Sequence, residues 1–323
     1  MNNSLKPGRS CPVNYRYHPA TATPTLPDTG TLYVVGGLYG NTCALEALEN
    51  DVLKRETGPY TCVFNGDYHW FDINPDNFRK ISQSVQNHHA ILGNVEAEFL
   101  TGSDTDGCGC AYPEEVNNDL IDRSNQIHRV LKQTAAKETA HLEWLKKQPM
   151  QYSTKVGEHT IRIVHGDAWS LSGWNFSTES LAHPSNRLEV DKALDDSGTG
   201  IYACSHTCLP VMRYLGPDNQ SRLIVNNGAA GMPNFSNTNY GIVTRIGISP
   251  SPIQSIYGTS LTNGSTKVYV DAIALHYDHG AWLKEFLGQW PAGSAAHQSY
   301  WKRINQGPTY SLTQARSESL KIQ

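Results

Sequence analysis

Apolar positions in this chain fall into two patterns: short continuous runs closed by a polar or glycine-rich turn, and stretches where they recur every three or four residues. The first run, Leu32 to Val35 in TLYVV, reads as a buried strand. After the turn GGLYGN, Leu45, Leu48 and Val52 share one face of a helix starting near Asn41 or Thr42. TCVFNGD, ending at Asp67, is the next strand. Beyond it Asn74 caps a helix with Pro75 in its first turn, burying Phe78, Ile81 and Val85. HAILGN, ending at Asn94, is a third short strand, and TGSDTDGCGCAYP, at 101–113, is a loop. Residues 117–148 are rich in Lys, Glu, Gln and Ala and predict one long helix ending at Pro149. HTIRIVHGD, GIYACSH and RLIVNNGAAGMP each give a strand that stops in a polar loop, and YGIVTRIGI follows as a strand. Asn263-Gly264 marks a tight turn between strands at 253–261 and 266–274. Helical pieces at 279–288 and 295–304 close the pattern, and the last fifteen or so residues read as frayed.

The early half alternates strand and helix while the late half is mostly strand, which predicts a layered α/β domain with two packed sheets and helices outside. On this reading residues 1–30 form an extended arm, 31–305 the domain and 306–323 a tail.

Composition narrows the function. The 323 residues carry a formal charge of −4 with no long basic run, so the phosphate-backbone footprint of a nucleic-acid binder is not expected. No stretch approaches the ~20 apolar residues of a membrane span. The opening MNNSLKPGRSCPVNYRYHP lacks an apolar signal core, and the expectation is a cytoplasmic protein. Its seven cysteines are odd in number and irregular in spacing, which fits mostly free thiols; Cys108-Gly109-Cys110 is too close for an easy mutual bridge.

The strand ends carry the candidate chemistry, because in α/β sheets functional groups gather just beyond the carboxyl ends of the strands. Here those ends present Asp67, Asn94, His165 and His206: a carboxylate, an amide oxygen and two imidazoles. That donor set suits Mn, Fe, Co or Zn better than Ca or Cu(I). Against each residue alone stands a plain alternative, a turn residue or an ordinary histidine; the ordered series is what argues for a metal site. Cys62 and Cys204 lie inside strand runs as small core residues.

In chain order these stretches resemble the calcineurin-like metallophosphoesterase superfamily, closest to its small bacterial phosphodiesterase branch. That family reads D-x-H-G-N, G-D, G-N, H-G, G-H-T-H and N-P-G-S. The matching stretches are Gly37-Leu38-Tyr39-Gly40-Asn41, Gly66-Asp67, Gly93-Asn94, His165-Gly166, Ser205-His206-Thr207-Cys208 and Asn227-Gly228-Ala229, spanning about residues 31–250. The resemblance implies a four-layer αββα sandwich of two mixed β-sheets flanked by helices, with a two-metal site. One metal keeps all its ligands: Asp67, Asn94, His165 and His206. The other keeps only the shared Asp67, its remaining positions holding Gly37, Tyr39 and Cys208.

Three readings of that departure stand side by side. The chain holds one divalent transition-metal ion and hydrolyses with it alone. Or it holds two, in a site rebuilt with Cys208 as thiolate or Tyr39 as phenolate, or with His69, Asp72, Cys108 and Cys110 from nearby loops. Or the fold persists without catalysis. For the active readings the resemblance implies a hydrolase acting through a metal-bound hydroxide on a small phosphorylated substrate. His69 is the candidate general acid, and Asn41 helps the turn before the first helix to receive a phosphate oxygen. Val95 stands where some relatives carry an acid histidine, so diester or anhydride cleavage fits better than monoester cleavage. The rival is a catalytically silent metal- or phosphate-ligand-binding protein on the same fold.

Overall fold

The computed structural model describes residues 6–102, 105–215 and 222–316; the expected arm's residues 1–5 and the expected tail's residues 317–323 lie outside the described residues. The strands are β1 (Thr31–Val35), β2 (Thr61–Asn65), β3 (His89–Ile91), β4 (Gln151–Val156), β5 (His159–Val164), β6 (Ile201–Cys204), β7 (Pro210–Leu215), β8 (Arg222–Asn227), β9 (Gly241–Gly247), β10 (Ser255–Asn263) and β11 (Thr266–Leu275). The helices are α1 (Thr42–Ala47), α2 (Pro75–Val85), α3 (Asn94–Phe99), α4 (Asn118–Ala135), α5 (Thr139–Leu145), α6 (Thr178–Ala182), α7 (Pro184–Ser197), α8 (His279–Gln289), α9 (Ala295–Gln306) and α10 (Leu312–Ala315).

The strands make two mixed sheets, ordered β10-β11-β9-β1-β2-β3 and β4-β5-β6-β8-β7. Within them β1, β2 and β3 run parallel, as do β5, β6 and β8; the remaining pairings are antiparallel. Side chains on a strand alternate between faces, and the cores follow that alternation. Leu32, Val34, Val63 and Ile91 of the first sheet meet Ile161, Ile163, Ala203 and Val225 of the second in one buried cluster. On the first sheet's other face Tyr33, Val35, Phe64 and Ala90 pack with Leu45 of α1, Phe78 and Ile81 of α2, Leu131 of α4 and Phe286 of α8. On the second sheet's other face Val164, Tyr202 and Ile224 pack with Leu181 of α6 and Val190 and Leu194 of α7. The result is helices, sheet, sheet, helices: the expected αββα sandwich. No helix among the described residues is long and apolar enough to cross a membrane.

Several elements differ from the sequence reading. The long helix expected over 117–148 is two, α4 and α5, turning at 136–138 so that His141 and Leu145 are buried. No helix breaker marks the turn; packing overrides the helix propensity of Ala136, Lys137 and Glu138. The strands β4 and β7 and the helices α3, α6 and α7 were not legible as periodic runs. Two of these helices carry start signals nonetheless: Ser177 caps α6, and Pro184 opens α7. At the other end, residues 309–316 are packed rather than frayed. Tyr310 stacks on Phe235, its hydroxyl donates to the carbonyl of Pro210 at 2.8 Å, and α10 buries Ala315. From the arm, the amide of Leu26 donates to the carbonyl of Ser153, and the amide of Thr29 to that of Lys155. This lays the arm along β4 and covers a sheet edge.

One buried ion pair braces the first sheet. Arg245 on β9 donates through Nε to Glu56 at 2.8 Å, and the Tyr33 hydroxyl donates to the same carboxylate at 2.9 Å. The side chains are 0% and 5% exposed, so removing one partner strands a buried charge. Glu56→Ala is expected to cost about 3–5 kcal/mol of stability, read as a lowered urea midpoint at unchanged slope.

Candidate metal centre

The carboxyl ends of β2, β3, β5 and β6 face one another across the two sheets. The loops there turn abruptly. Gly66 has φ +75° and Asp67 has φ +52°, and a Cβ on Gly66 would lie 2.5 Å from the Cα of Gly93. Only a glycine lets the β2 and β3 loops approach this closely. Asp67, Asn94, His165 and His206 are all buried, and they converge.

Their orientation is set from outside the cluster. His165 Nδ1 lies 2.8 Å from the carbonyl of Asn65, which can only accept. Nδ1 therefore carries the proton, and in the neutral ring the lone pair is on Nε2. His206 Nε2 lies 3.1 Å from the carbonyl of Cys110, so its lone pair is on Nδ1. Asn94 donates through Nδ2 to the carbonyl of Cys108 at 2.8 Å, which turns Oδ1 inward. From His165 Nε2 it is 3.1 Å to Asn94 Oδ1, 3.2 Å to His206 Nδ1 and 3.3 Å to Asp67 Oδ1. Ligands on a tetrahedron with bonds of ~2.0–2.1 Å stand about 3.3–3.4 Å apart. Four lone-pair donors at this spacing, with their protons directed outward, fit a single transition-metal cation. Asp67, His165 and His206 form the one group of three or more His, Cys, Asp or Glu ligand atoms within 4.8 Å of each other among the described residues.

The local field favours positive charge at that point. Burial disfavours ionisation of both His165 and Asp67, yet their mutual attraction outweighs it: the His165 pKa is raised and the Asp67 pKa lowered. Burial and then His165 push His206 down to about 3. Beneath Asp67 lies Glu96, a residue the sequence reading missed. Its buried carboxylate accepts the amides of Asp67 at 2.8 Å, Gly93 at 3.1 Å and His69 at 3.2 Å, tying the β2 loop to α3. Burial, then the charge of Asp67, push its pKa up to about 7. Its signal was positional: a Glu three residues after the residue preceding a helix, placed to reach back to that residue's amide.

The other expected residues separate into two groups. Tyr39, Cys208 and Cys110 line the cavity of about 50 Å³ that also borders Asp67, Asn94 and His206. Cys208 does not join the ligand cluster; its Sγ lies 2.7 Å from the Tyr39 hydroxyl and 3.2 Å from the carbonyl of His206. Burial above all raises the pKa of both the Tyr39 phenol and the Cys208 thiol, disfavouring the phenolate and thiolate that a rebuilt site requires. Cys108 and Cys110 pair as a disulfide, contrary to the expectation of independent thiols or ligands. Gly109, at φ +64°, folds the chain back so that the two side chains meet.

His69, Asp72 and Asn41 fall outside the cavity, which corrects their expected roles. His69 is fully buried, stacked on Phe78 at 3.8 Å between ring centroids, with Nδ1 2.6 Å from Asp72 and Nε2 3.3 Å from Ser82. Enclosed this way it cannot reach a leaving group. Asp72 is engaged by His69 and by the amide of Trp70 and lies apart from the cluster of Asp67, His165 and His206. Asn41 accepts the amide of Ala44 as the α1 cap and donates to the carbonyl of Gly231 at 2.9 Å. Both ends of its side chain are engaged in shaping the turn.

No family model and no curated protein sequence matches the chain. Solved structures do. A hypothetical protein from Pyrococcus horikoshii OT3 superposes with a TM-score of 0.54 at 13% identity, over 87% of this chain and 99% of that one. A metallophosphoesterase from Sphaerobacter thermophilus gives a TM-score of 0.49 at 16% identity, over 79% of this chain and 93% of that one. The first likeness, at that identity, speaks to fold alone. With two mixed sheets inside two helical layers, the chain has an αββα sandwich fold, which it shares with the Pyrococcus horikoshii protein.

If the cluster holds a cation, His206→Ala is expected to weaken Mn(II) binding by ~100-fold or more, since even residues that only support a ligand are worth 10–100-fold. Titration calorimetry reads it, with His89→Ala, exposed and outside the cluster, as the unchanged control.

Proposed function

We propose that the protein is a metal-dependent hydrolase of phosphoester bonds, acting on diesters or anhydrides in preference to monoesters. The observation that carries this reading is the convergence of Asp67 Oδ1, Asn94 Oδ1, His165 Nε2 and His206 Nδ1, with the N–H groups of Asn94, His165 and His206 turned away. Asp67, Asn94, His165 and His206 would hold a divalent cation, which when bound would supply activation of water near neutral pH and positive charge toward a phosphoryl oxygen.

The chain's own residues do the rest. Asn65, Cys108 and Cys110, through their carbonyls, fix the two imidazoles and the amide against rotation. Trp70, Tyr112, Trp174 and Tyr300 wall the cavity. In hydrolysis the oxygen of water bonds to phosphorus, the bond to the leaving oxygen breaks, and that oxygen takes a proton. Val95 borders the cavity where some relatives place an acid histidine, and His69 is enclosed elsewhere. Neither donates a proton to a poor leaving group, which favours substrates whose leaving oxygen departs readily. The rival reading is a silent binder of a metal or a phosphate ligand on the same fold.

Elemental analysis of the purified protein, with assay of bis(4-nitrophenyl) phosphate in the presence of Mn, Fe, Co or Zn, separates the two. The expected outcome is metal-dependent turnover that is lost on chelation and restored by one of these ions. A stoichiometric metal with no turnover under any of them would establish the binder.

A further inference from the structure

The resemblance implies a second cation beside the first, and the residues here do not fit it. The places of its Asp, His and terminal His hold Gly37, Tyr39 and Cys208. The space is also taken. Gly37 has φ +63°, and a Cβ added there would lie 2.7–2.9 Å from the Tyr39 ring and its hydroxyl. The phenol therefore occupies the volume into which a side chain at position 37 would grow. Tyr39 is itself held in the left-handed region, φ +56°, with its amide donating to the carbonyl of Asp67 at 3.1 Å. Cys208, at φ +60°, closes against its hydroxyl. Behind them the Arg303 guanidinium on α9 donates through Nη2 to the carbonyl of Cys208, while its buried Nε has no partner.

From this arrangement we infer that the chain holds one cation rather than two, and that the Tyr39 hydroxyl, backed by Cys208 and the fixed charge of Arg303, takes the second cation's place as a donor to the bound phosphoryl oxygen. The inference rests on the metal-centre reading above and deepens it. The hydroxyl is available because its present partner is weak. A thiol sulfur is a poor acceptor, and the thiol's own proton has the carbonyl of His206 at 3.2 Å. An anionic oxygen entering the cavity outcompetes the sulfur for the phenol proton, since hydrogen bonds to charged groups are the stronger ones. No bond is broken in this step: the O–H swings from sulfur to oxygen. The guanidinium supplies fixed positive charge near the place where the ion's charge is missing.

The test counts ions and measures anion binding, so that neither readout depends on turnover. Protein loaded with Mn(II) and dialysed is expected to retain one ion per chain, with the electron paramagnetic resonance spectrum of an isolated Mn(II). Tyr39→Phe is expected to retain the same ion and to bind inorganic phosphate ~10–100-fold more weakly, the worth of one hydrogen bond to a charged group. Two ions in the unmodified chain, or a spin-coupled spectrum, would overturn the single-cation assignment while leaving the metal centre standing. Unchanged phosphate affinity in Tyr39→Phe would overturn the donor role. A chain that retains no ion overturns the metal centre itself. The combined variant Gly37→Asp, Tyr39→His, Cys208→His restores the implied donors and is expected to bring the count to two; the unmodified chain and Tyr39→Phe decide the question should that variant not fold.

Discussion

The structure around this centre depends on one electrostatic constraint: four lone pairs aimed at the same point in a buried space. Left to themselves, the carboxylate oxygen, the amide oxygen and the two ring nitrogens repel one another, and each has lost its water. Something positive must sit between them. Without a cation, the field does the same to a proton: Asp67 holds the His165 pKa above its ordinary value against the penalty of burial. The arrangement persists because the opposite face of each donor group is engaged, with the carbonyls of Asn65, Cys110 and Cys108 taking the N–H of His165, His206 and Asn94. A ligand whose tautomer and ring plane are fixed this way is preorganised, and such outer partners matter nearly as much as the ligands.

The two-sheet architecture is what brings those faces together. Parallel strands deliver all their carboxyl ends to one rim, and here β1–β3 and β5, β6 and β8 deliver theirs to the same rim from opposing sheets. Sequence-distant loops then meet at contact distance, at the cost of an unfavourable backbone. Tyr39, Asp67 and Cys208 all have φ between +52° and +60°, a region that costs non-glycine residues of order 1–3 kcal/mol each. Glu96 helps to hold the Asp67 strain in place by accepting three amides from the loops on either side.

How much of this was legible in the sequence depends on whether local pattern or tertiary contact decided the matter. The runs ending at Asp67, Asn94, His165 and His206 could be read as strands stopping at a donor, because continuous apolar stretches closed by glycine are a local signal. Their order along the chain supplied the fold. What eluded the reading was set by contacts across the molecule. His69, two residues after Asp67, has the chemistry of an acid, but the chain past the left-handed Asp67 turns its ring into the aromatic core with Phe78. Nothing in YHWFD encodes that rotation. The spacing of Cys108 and Cys110 argues against an easy mutual bridge, and the backbone of Gly109 overcomes it. Glu96 and the break between α4 and α5 likewise follow from what lies opposite them in space.

The charge at the centre bears on which phosphate esters suit it. A divalent cation with Asp67 as the one anionic ligand leaves a net charge of about +1, whereas each further carboxylate ligand would remove one unit. The guanidinium of Arg303 adds positive charge behind Cys208, and Glu96 subtracts only as far as it ionises, with a pKa pushed up to about 7. A diester carries a single negative charge and a monoester close to two near neutral pH. On the proposed reading, one cation and a neutral phenol balance the monoanion more closely, since burying an uncompensated second charge is costly. On the same reading, the lack of an acid histidine at the cavity favours good leaving groups, and the modest positive charge disfavours the dianion. On the proposed reading, Val95 in place of an acid histidine and Gly37 and Tyr39 in place of an Asp and a His are separate departures that favour the same class of substrate.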